Sequence, residues 1–521
     1  MKRRAPLAIV LALVIIAGGA GATLAARGLL LPAALQVSGR VRGESISAKQ
    51  QGLSELAGLA ASVRCNGVAA TATTAGDYHL TVPHADRYTC TISGPPGYAP
   101  RTVELPKAVS GPFTLNVGDR DPTDTTCQVN ARTAVASCPP LLLLPGGIAG
   151  RVVNKDGASI GGAYALRCGL KQQLSEIGLV PDWHTATVRA NGSFTVTGLA
   201  TGDYTCVVTA TAGNADYQQV HVDPGKTAAL NFTLCNPDCP ALHYHLGLTM
   251  HSYTAYLIFW LPKGFSFEPG GDDARYQSLV ARYFQDVGGT PYYNLLAQYW
   301  DYRGHISTSA TLGGVYLDTT PYEHCDTPSS GCRPAAGTQA DPLTDQDVQD
   351  EVSRALRANI DWGTSIDNEF FVFTASGVQE CSSGGRRFCT FNDDQHSFCA
   401  YHSAFGSLAA PTIYGYVPAP VAGDTGCILR QSPNGDAVAD SAIAFAGHEQ
   451  FESVTDPFPD GSPGWFEDRG GDDSGESEIA DVCVGVFGPI GADGGNITLA
   501  NGHRYLVQAQ YSNASDGCAF A

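Results

Sequence analysis

The chain has 521 residues, too many for one hydrophobic core, so several domains are expected. Its formal net charge is −19, with 31 Lys and Arg against 50 Asp and Glu, which argues against nucleic acid and anionic lipid surfaces as partners. Sixty glycines, 31 prolines and only 16% charged residues describe a strand- and turn-rich chain, not a helical one.

At the N-terminus Lys2, Arg3 and Arg4 precede an apolar run from Leu7 and then the small residues Ala20-Gly21-Ala22. That order is an export signal. Counted from Ala5, the run is also long enough to cross a bilayer. Residues 1–35 are therefore read as a signal peptide or a single transmembrane anchor, the only contact with a membrane. Either reading puts the remainder outside the cytoplasm, secreted or tethered to the cell membrane. Sixteen cysteines agree, because such usage implies disulfides in an oxidising compartment. The close pairs Cys235 with Cys239, Cys325 with Cys332, and Cys381 with Cys389 are expected to staple loops.

A repeat follows. Unit one opens on Val37-Ser38-Gly39-Arg40-Val41 and later reads Gly76-Asp77-Tyr78 and Tyr88-Thr89-Cys90. Unit two opens on Ile148-Ala149-Gly150-Arg151-Val152 and continues with Asn191-Gly192-Ser193-Phe194 and Gly202-Asp203-Tyr204-Thr205-Cys206. Short alternating runs split by Gly, Asp and Asn predict antiparallel strands and two all-β sandwich domains, 36–120 and 147–236, joined by a linker over 121–146. One early and one late cysteine in each unit, Cys65 with Cys90 and Cys168 with Cys206, are expected to pin strands of the same sandwich. Cys127 and Cys138 are expected to close a hairpin or loop in the linker. The two units resemble carboxypeptidase regulatory-like domains, the small transthyretin-like sandwiches of exported proteins. That resemblance implies spacing, stabilising or binding roles.

The texture changes over 243–521. Tyr256–Leu261 and Phe370–Phe373 are continuous apolar runs, as in strands covered on both faces. Leu279, Val280, Tyr283, Phe284 and Val287 stripe a helix stopped by Gly288. Thr344 and Asp347 predict a capped helix to Asn359, with Val348, Val352 and Leu356 on its inner face. A third helix is expected from Ser441 to Val454, capped by Asp440 and ended by Pro457. Alternating strands and helices indicate an α/β or α+β domain with a motif-bearing helix.

The motif is His448-Glu449-Gln450-Phe451-Glu452, followed by Thr455-Asp456-Pro457. Residues four apart share a helix face, so His448 and Glu452 can grip one cation with Glu449 beside them. Zinc hydrolases build their sites this way, although the usual motif ends in His where this one ends in Glu. A catalytic zinc takes three protein ligands, and the third is expected from Glu478, Asp481 or His402. Glu449 is the expected general base, acting on an extracellular peptide or ester. Glu449 and Glu452 as the solvated face of an ordinary helix is the plainer alternative. A third is calcium held by Asp468, Asp472, Asp473, Glu476 and Glu478, an oxygen-rich stretch without EF-hand spacing. No nucleophile elbow, Walker loop or dinucleotide fingerprint occurs. Cys483 with Cys518 would tie the motif region to the C-terminus.

Phe398-Cys399-Ala400-Tyr401-His402, Val454-Thr455-Asp456-Pro457-Phe458 and Ala480-Asp481-Val482-Cys483-Val484-Gly485 are also similar to the exordium or phosphate-induced protein family of secreted plant wall proteins and its bacterial relatives. The resemblance implies export and a cell-surface setting. It supplies no active site, because the plant pattern lacks the His448-Glu449 pair. The expected protein is an exported or tethered zinc-dependent, peptidase-like hydrolase presented on two sandwich spacers. The alternative is a non-catalytic adhesion protein, calcium-stabilised, that binds cell-wall polymer or protein and stacks sugars on Tyr292, Tyr293, Tyr299 and Trp300.

Overall fold

The computed structural model describes residues 34–521 apart from 51–53, 107–110, 161–164, 175–181, 210–214, 235–240, 325–332, 335–341, 382–388, 391–396, 422–425 and 469–475. The export segment and the pairs Cys235/Cys239 and Cys325/Cys332 lie outside the described residues. Among the described residues no helix is long and apolar enough to cross a membrane. The chain divides into two compact units, one reaching Ile148 and including Thr197–Gly202 and His221–Ala228, the other holding the remainder.

In the first unit, strand Asp77–Val82 shows the governing pattern: Tyr78, Leu80 and Val82 are buried and the residues between them exposed, as a two-residue period requires. It edges a five-stranded sheet with Leu35–Arg40, Phe113–Val117, Val135–Cys138 and Gln128–Asn130. A four-stranded sheet runs Val68–Thr71, Ser62–Cys65, Tyr88–Ser93 and Arg101–Leu105. Val37, Leu80 and Leu115 of the first sheet share one core with Val63, Ile92 and Val103 of the second, which is sandwich packing. Cys65 stands opposite Cys90 on the adjacent strand and is bonded to it, and Cys127 is bonded to Cys138.

In the second unit, strand Ala165–Leu170 pairs with His184–Thr187 and Gly202–Thr209, and Cys168 is bonded to its cross-strand neighbour Cys206. Trp183 packs edge-on against Tyr302, and Tyr217 lies against Trp300. Tyr292, Tyr293, Tyr299 and Trp300 are all buried, so they form core and offer no platform for sugars.

The rest of this unit is built on strands β1 (Tyr253–Trp260), β2 (Ala310–Asp318), β3 (Asn368–Thr374), β4 (Tyr401–Ser407) and β5 (Ala410–Pro418). Their order is β2-β1-β3-β5-β4, parallel throughout except for the antiparallel edge strand β4. Helices α1 (Asp273–Asp286), α2 (Asp345–Ala358) and α3 (Ala437–Thr455) cover it. Leu257, Phe259, Phe371 and Phe373 pack with α1 and α3 on one face. Ile258, Trp260, Phe370 and Val372 pack with Val348, Val352 and Ala355 of α2 on the other. Both faces are covered, which is why β1 and β3 read as unbroken apolar runs.

Helix starts follow their caps. Asp272 accepts from the N–H groups of Ala274 and Arg275, so α1 begins earlier than its apolar stripe. The Thr344 N–H and hydroxyl both donate to Asp347. Helix α3 is capped by Asp436, which accepts from Ala439, not by Asp440. Asp440 instead sits inside the first turn and accepts from Ser432 and Asn434.

Beyond the end of β3, Glu380 is 1% exposed and neither carboxylate oxygen has a hydrogen-bond partner among the described residues. Burial, with Asp345 and Asp347 adding repulsion, pushes its carboxyl up to about 8. The unfolded chain ionises this group from the ordinary value upward, while the folded chain keeps the proton. Stability therefore falls as pH rises through that window. Urea unfolding between pH 5 and about 8 should show Glu380→Gln removing roughly 1 kcal/mol per pH unit of this slope. An unchanged slope would contradict the assignment.

Candidate metal centre

Helix α3 is buried nearly all round, with Val438, Ala439, Ala442, Ile443, Ala446 and Phe451 in the core. Its polar side chains therefore cannot face water. Glu449 is 5% exposed and Glu452 3%, which removes the solvated-face alternative. Such groups need polar partners, because burying an unpaired charge is costly.

The partners come from three places. The first is α3 itself, where His448 Nε2 stands 3.0 Å from Glu452 Oε1. The second is the short helical turn Asp481–Cys483: Asp481 Oδ1 lies 3.3 Å from His448 Nε2, and its N–H donates to Glu452 Oε1 at 3.2 Å. The Cys483–Cys518 disulfide anchors that turn. The third is β4, whose second residue, His402, points Nδ1 at Glu449 Oε2 (3.3 Å) and Glu452 Oε2 (3.7 Å). Its Nε2 meets the Asp456 carbonyl at 3.0 Å and lies 3.6 Å from Glu478 Oε1. The disulfide Cys399–Cys427, a pairing with no signal in the spacing, ties the chain just before β4. Cys381 is bonded to Cys389.

Five of the expected site residues form two overlapping sets, His448, Glu452 and Asp481, and His402, Glu449 and Glu452, while Glu478, beside His402, belongs to neither. Within each set the donor atoms lie within 4.8 Å of one another. Donors bonded tetrahedrally to zinc at about 2.0–2.2 Å stand roughly 3.3 Å apart, which the His448 contacts match. Asp481 is 44% exposed at its side chain, so this set is reached from solvent. Of the calcium-loop residues, Asp472 and Asp473 lie outside the described residues.

The titrations reflect crowding. Burial opposes protonation of His402, but Glu478, Glu449 and Glu452 outweigh it and hold the ring well above the usual imidazole range. His448 is likewise raised against burial, by Glu452 and Asp481. Burial lifts Glu452 to about 7 and Glu478 well above the carboxylate range. Burial also works against the Asp481 carboxylate, yet His448 holds it below its ordinary value.

Residues that the motif did not signal support the cluster. Glu369, at the head of β3, accepts from Ser453 of α3 and from the Tyr253 hydroxyl, both at 2.6 Å. A carboxylate opening an apolar strand was the one available sign. Asp456 Oδ1 accepts from the Gly464 N–H at 2.9 Å, holding the turn whose carbonyl meets His402.

No protein-family model and no curated protein matches the chain. The two family resemblances therefore rest on motifs alone. Solved structures are similar over part of it. The Bacillus anthracis TIE protein is 12% identical, over 45% of this chain and 36% of that chain, with a TM-score of 0.24. GBS52, the minor pilin of the Gram-positive pathogen Streptococcus agalactiae, is 12% identical, over 40% of this chain and 98% of that chain, at 0.16. The shaft pilin SpaA from Lactobacillus rhamnosus GG is 11% identical, over 39% of this chain and 97% of that chain, at 0.14. The match thus spans about a third of the TIE protein. TM-scores this low identify no shared fold.

A Cβ at Gly464 would stand 2.2 Å from the Thr455 carbonyl oxygen and 3.1 Å from that of Leu248, so the turn after α3 admits only glycine. Gly464→Ala should lower stability by about 1–3 kcal/mol in urea unfolding. Wild-type stability would mean that the turn is not packed as described.

Proposed function

We propose that the chain is an exported surface protein whose C-terminal domain binds a zinc-type dication and hydrolyses a peptide or ester bond. Six disulfides, with no free cysteine among the described residues, fit folding in an oxidising compartment. The observation that carries the reading is the placement of His448 Nε2 3.0 Å from Glu452 Oε1 and 3.3 Å from Asp481 Oδ1, open to solvent on the Asp481 side.

These residues fit the ion by donor chemistry: one imidazole and two carboxylates, a set that zinc takes in hydrolases. Such an ion supplies Lewis acidity toward a substrate carbonyl and acidifies water. His448, Glu452 and Asp481 would hold it. Glu449, one residue from His448, would accept a proton, with His402 orienting its carboxylate through the 3.3 Å contact.

One observation favours a second reading, a non-catalytic adhesion protein braced by the ion. Glu449 is buried and already engaged by His402, an arrangement that also suits a purely structural carboxylate. Its partners would be wall polymers or proteins bound without the tyrosines and tryptophan that lie in the core. Calcium bound elsewhere on this acidic chain is compatible with it.

Elemental analysis of the purified chain separates these readings. The wild type should carry zinc or a similar dication, and Glu452→Ala should lose it. Glu449→Gln should keep an ion at His448 and lose peptide or ester hydrolysis. Equal metal in wild type and Glu452→Ala overturns the metal centre, while metal without hydrolysis in the wild type selects adhesion.

A further inference from the structure

The second donor set, His402, Glu449 and Glu452, extends the metal reading above and rests on it. Glu452 turns its two oxygens to different neighbours. Oε1 faces His448 Nε2 at 3.0 Å and Oε2 faces His402 Nδ1 at 3.7 Å. His402 Nδ1 also stands 3.3 Å from Glu449 Oε2, and all three residues of this set are buried. Two three-donor sets therefore share one carboxylate. Two-metal hydrolases hold ions about 3.5–4 Å apart, a spacing that the two oxygens of one carboxylate can bridge. We propose that this centre takes two divalent cations, one on His448, Glu452 and Asp481 and the other on His402, Glu449 and Glu452, with Glu452 bridging them.

The orientation of His402 supports the second position. Its Nε2 lies 3.0 Å from the Asp456 carbonyl oxygen, which accepts only from an N–H. Its Nδ1 is thereby aimed at two carboxylate oxygens. Without an ion a proton on Nδ1 bridges them; a dication would take that proton's place and leave the ring neutral, as ligation requires. Metal-binding histidines usually donate their other N–H to a carbonyl or carboxylate in this way.

Charge balance points the same way. Glu449, Glu452, Glu478 and Asp481 surround two imidazoles, and none of them pairs with a described lysine or arginine. An ion on His448, Glu452 and Asp481 leaves the Glu449 carboxylate facing His402; a second dication there would answer it with both rings neutral. In this arrangement Glu449 is a ligand and no longer the base.

The test is a count of ions on the full chain, stripped with a chelator and titrated with Mn2+. Bound metal is measured after dialysis, and spin coupling by electron paramagnetic resonance. The wild type should hold two ions with an exchange-coupled spectrum. His402→Ala and Glu449→Gln should each hold one, with the uncoupled spectrum of isolated Mn2+. Wild type saturating at one ion, with Glu449→Gln identical to it, overturns the second position and leaves the single-ion reading standing. No bound ion in the wild type overturns both. The wild-type count decides even where a variant fails to fold.

Discussion

Glu452 is enclosed by the core, 3% exposed on a helix buried nearly all round, with a histidine within reach of each of its oxygens. A carboxylate in that position has no water to stabilise its charge and must be protonated, paired or ligated. The surroundings are organised around that requirement. Helix α3 brings His448 one turn away, β4 brings His402, and the Asp481 turn closes the third side. Two disulfides, Cys399–Cys427 and Cys483–Cys518, hold the segments that α3 does not control. A helix of alanine, isoleucine and phenylalanine could fill the same volume without these costs, since apolar replacement of buried charges is often neutral or stabilising. Buried charges of this kind are weak evidence for a stabilising role.

The centre also sits where the sheet alone would not put it. Open α/β sheets usually bind ligands beyond the carboxyl ends of their strands. Here Glu369 is the second residue of β3 and Tyr253 the first of β1, and both bond beside the centre from the amino ends of their strands. His402 comes from the antiparallel edge strand β4, opposite Gly415 of β5 and so level with Phe371 in the middle of β3. The C-terminal end of α3 also arrives there, bringing the Glu452 carboxylate with it.

Much of this arrangement is legible in the chain because the signals are local. The i, i+4 spacing of His448 and Glu452 states their shared face. The apolar runs of β1 and β3 state a sheet covered on both sides. The first turn of α2 follows from Thr344 and Asp347. The misreadings come from tertiary competition. Asp436 and Asp440 are both good caps, and only the packing of Ser432 and Asn434 on Asp440 decides between them. Tyr292, Tyr293, Tyr299 and Trp300 look like a binding stripe, but their neighbours in space, Phe451, Trp465 and Tyr217, make them core. The two oxygens of Glu452 facing different histidines is a fact of three dimensions that no spacing encodes.

The central claim is that His448, Glu452 and Asp481 converge on a dication. Crystals grown with zinc and measured on both sides of its absorption edge test it most directly. The account predicts an anomalous peak about 2.0–2.2 Å from His448 Nε2, Glu452 Oε1 and Asp481 Oδ1. Well-ordered side chains with no peak among them would contradict it.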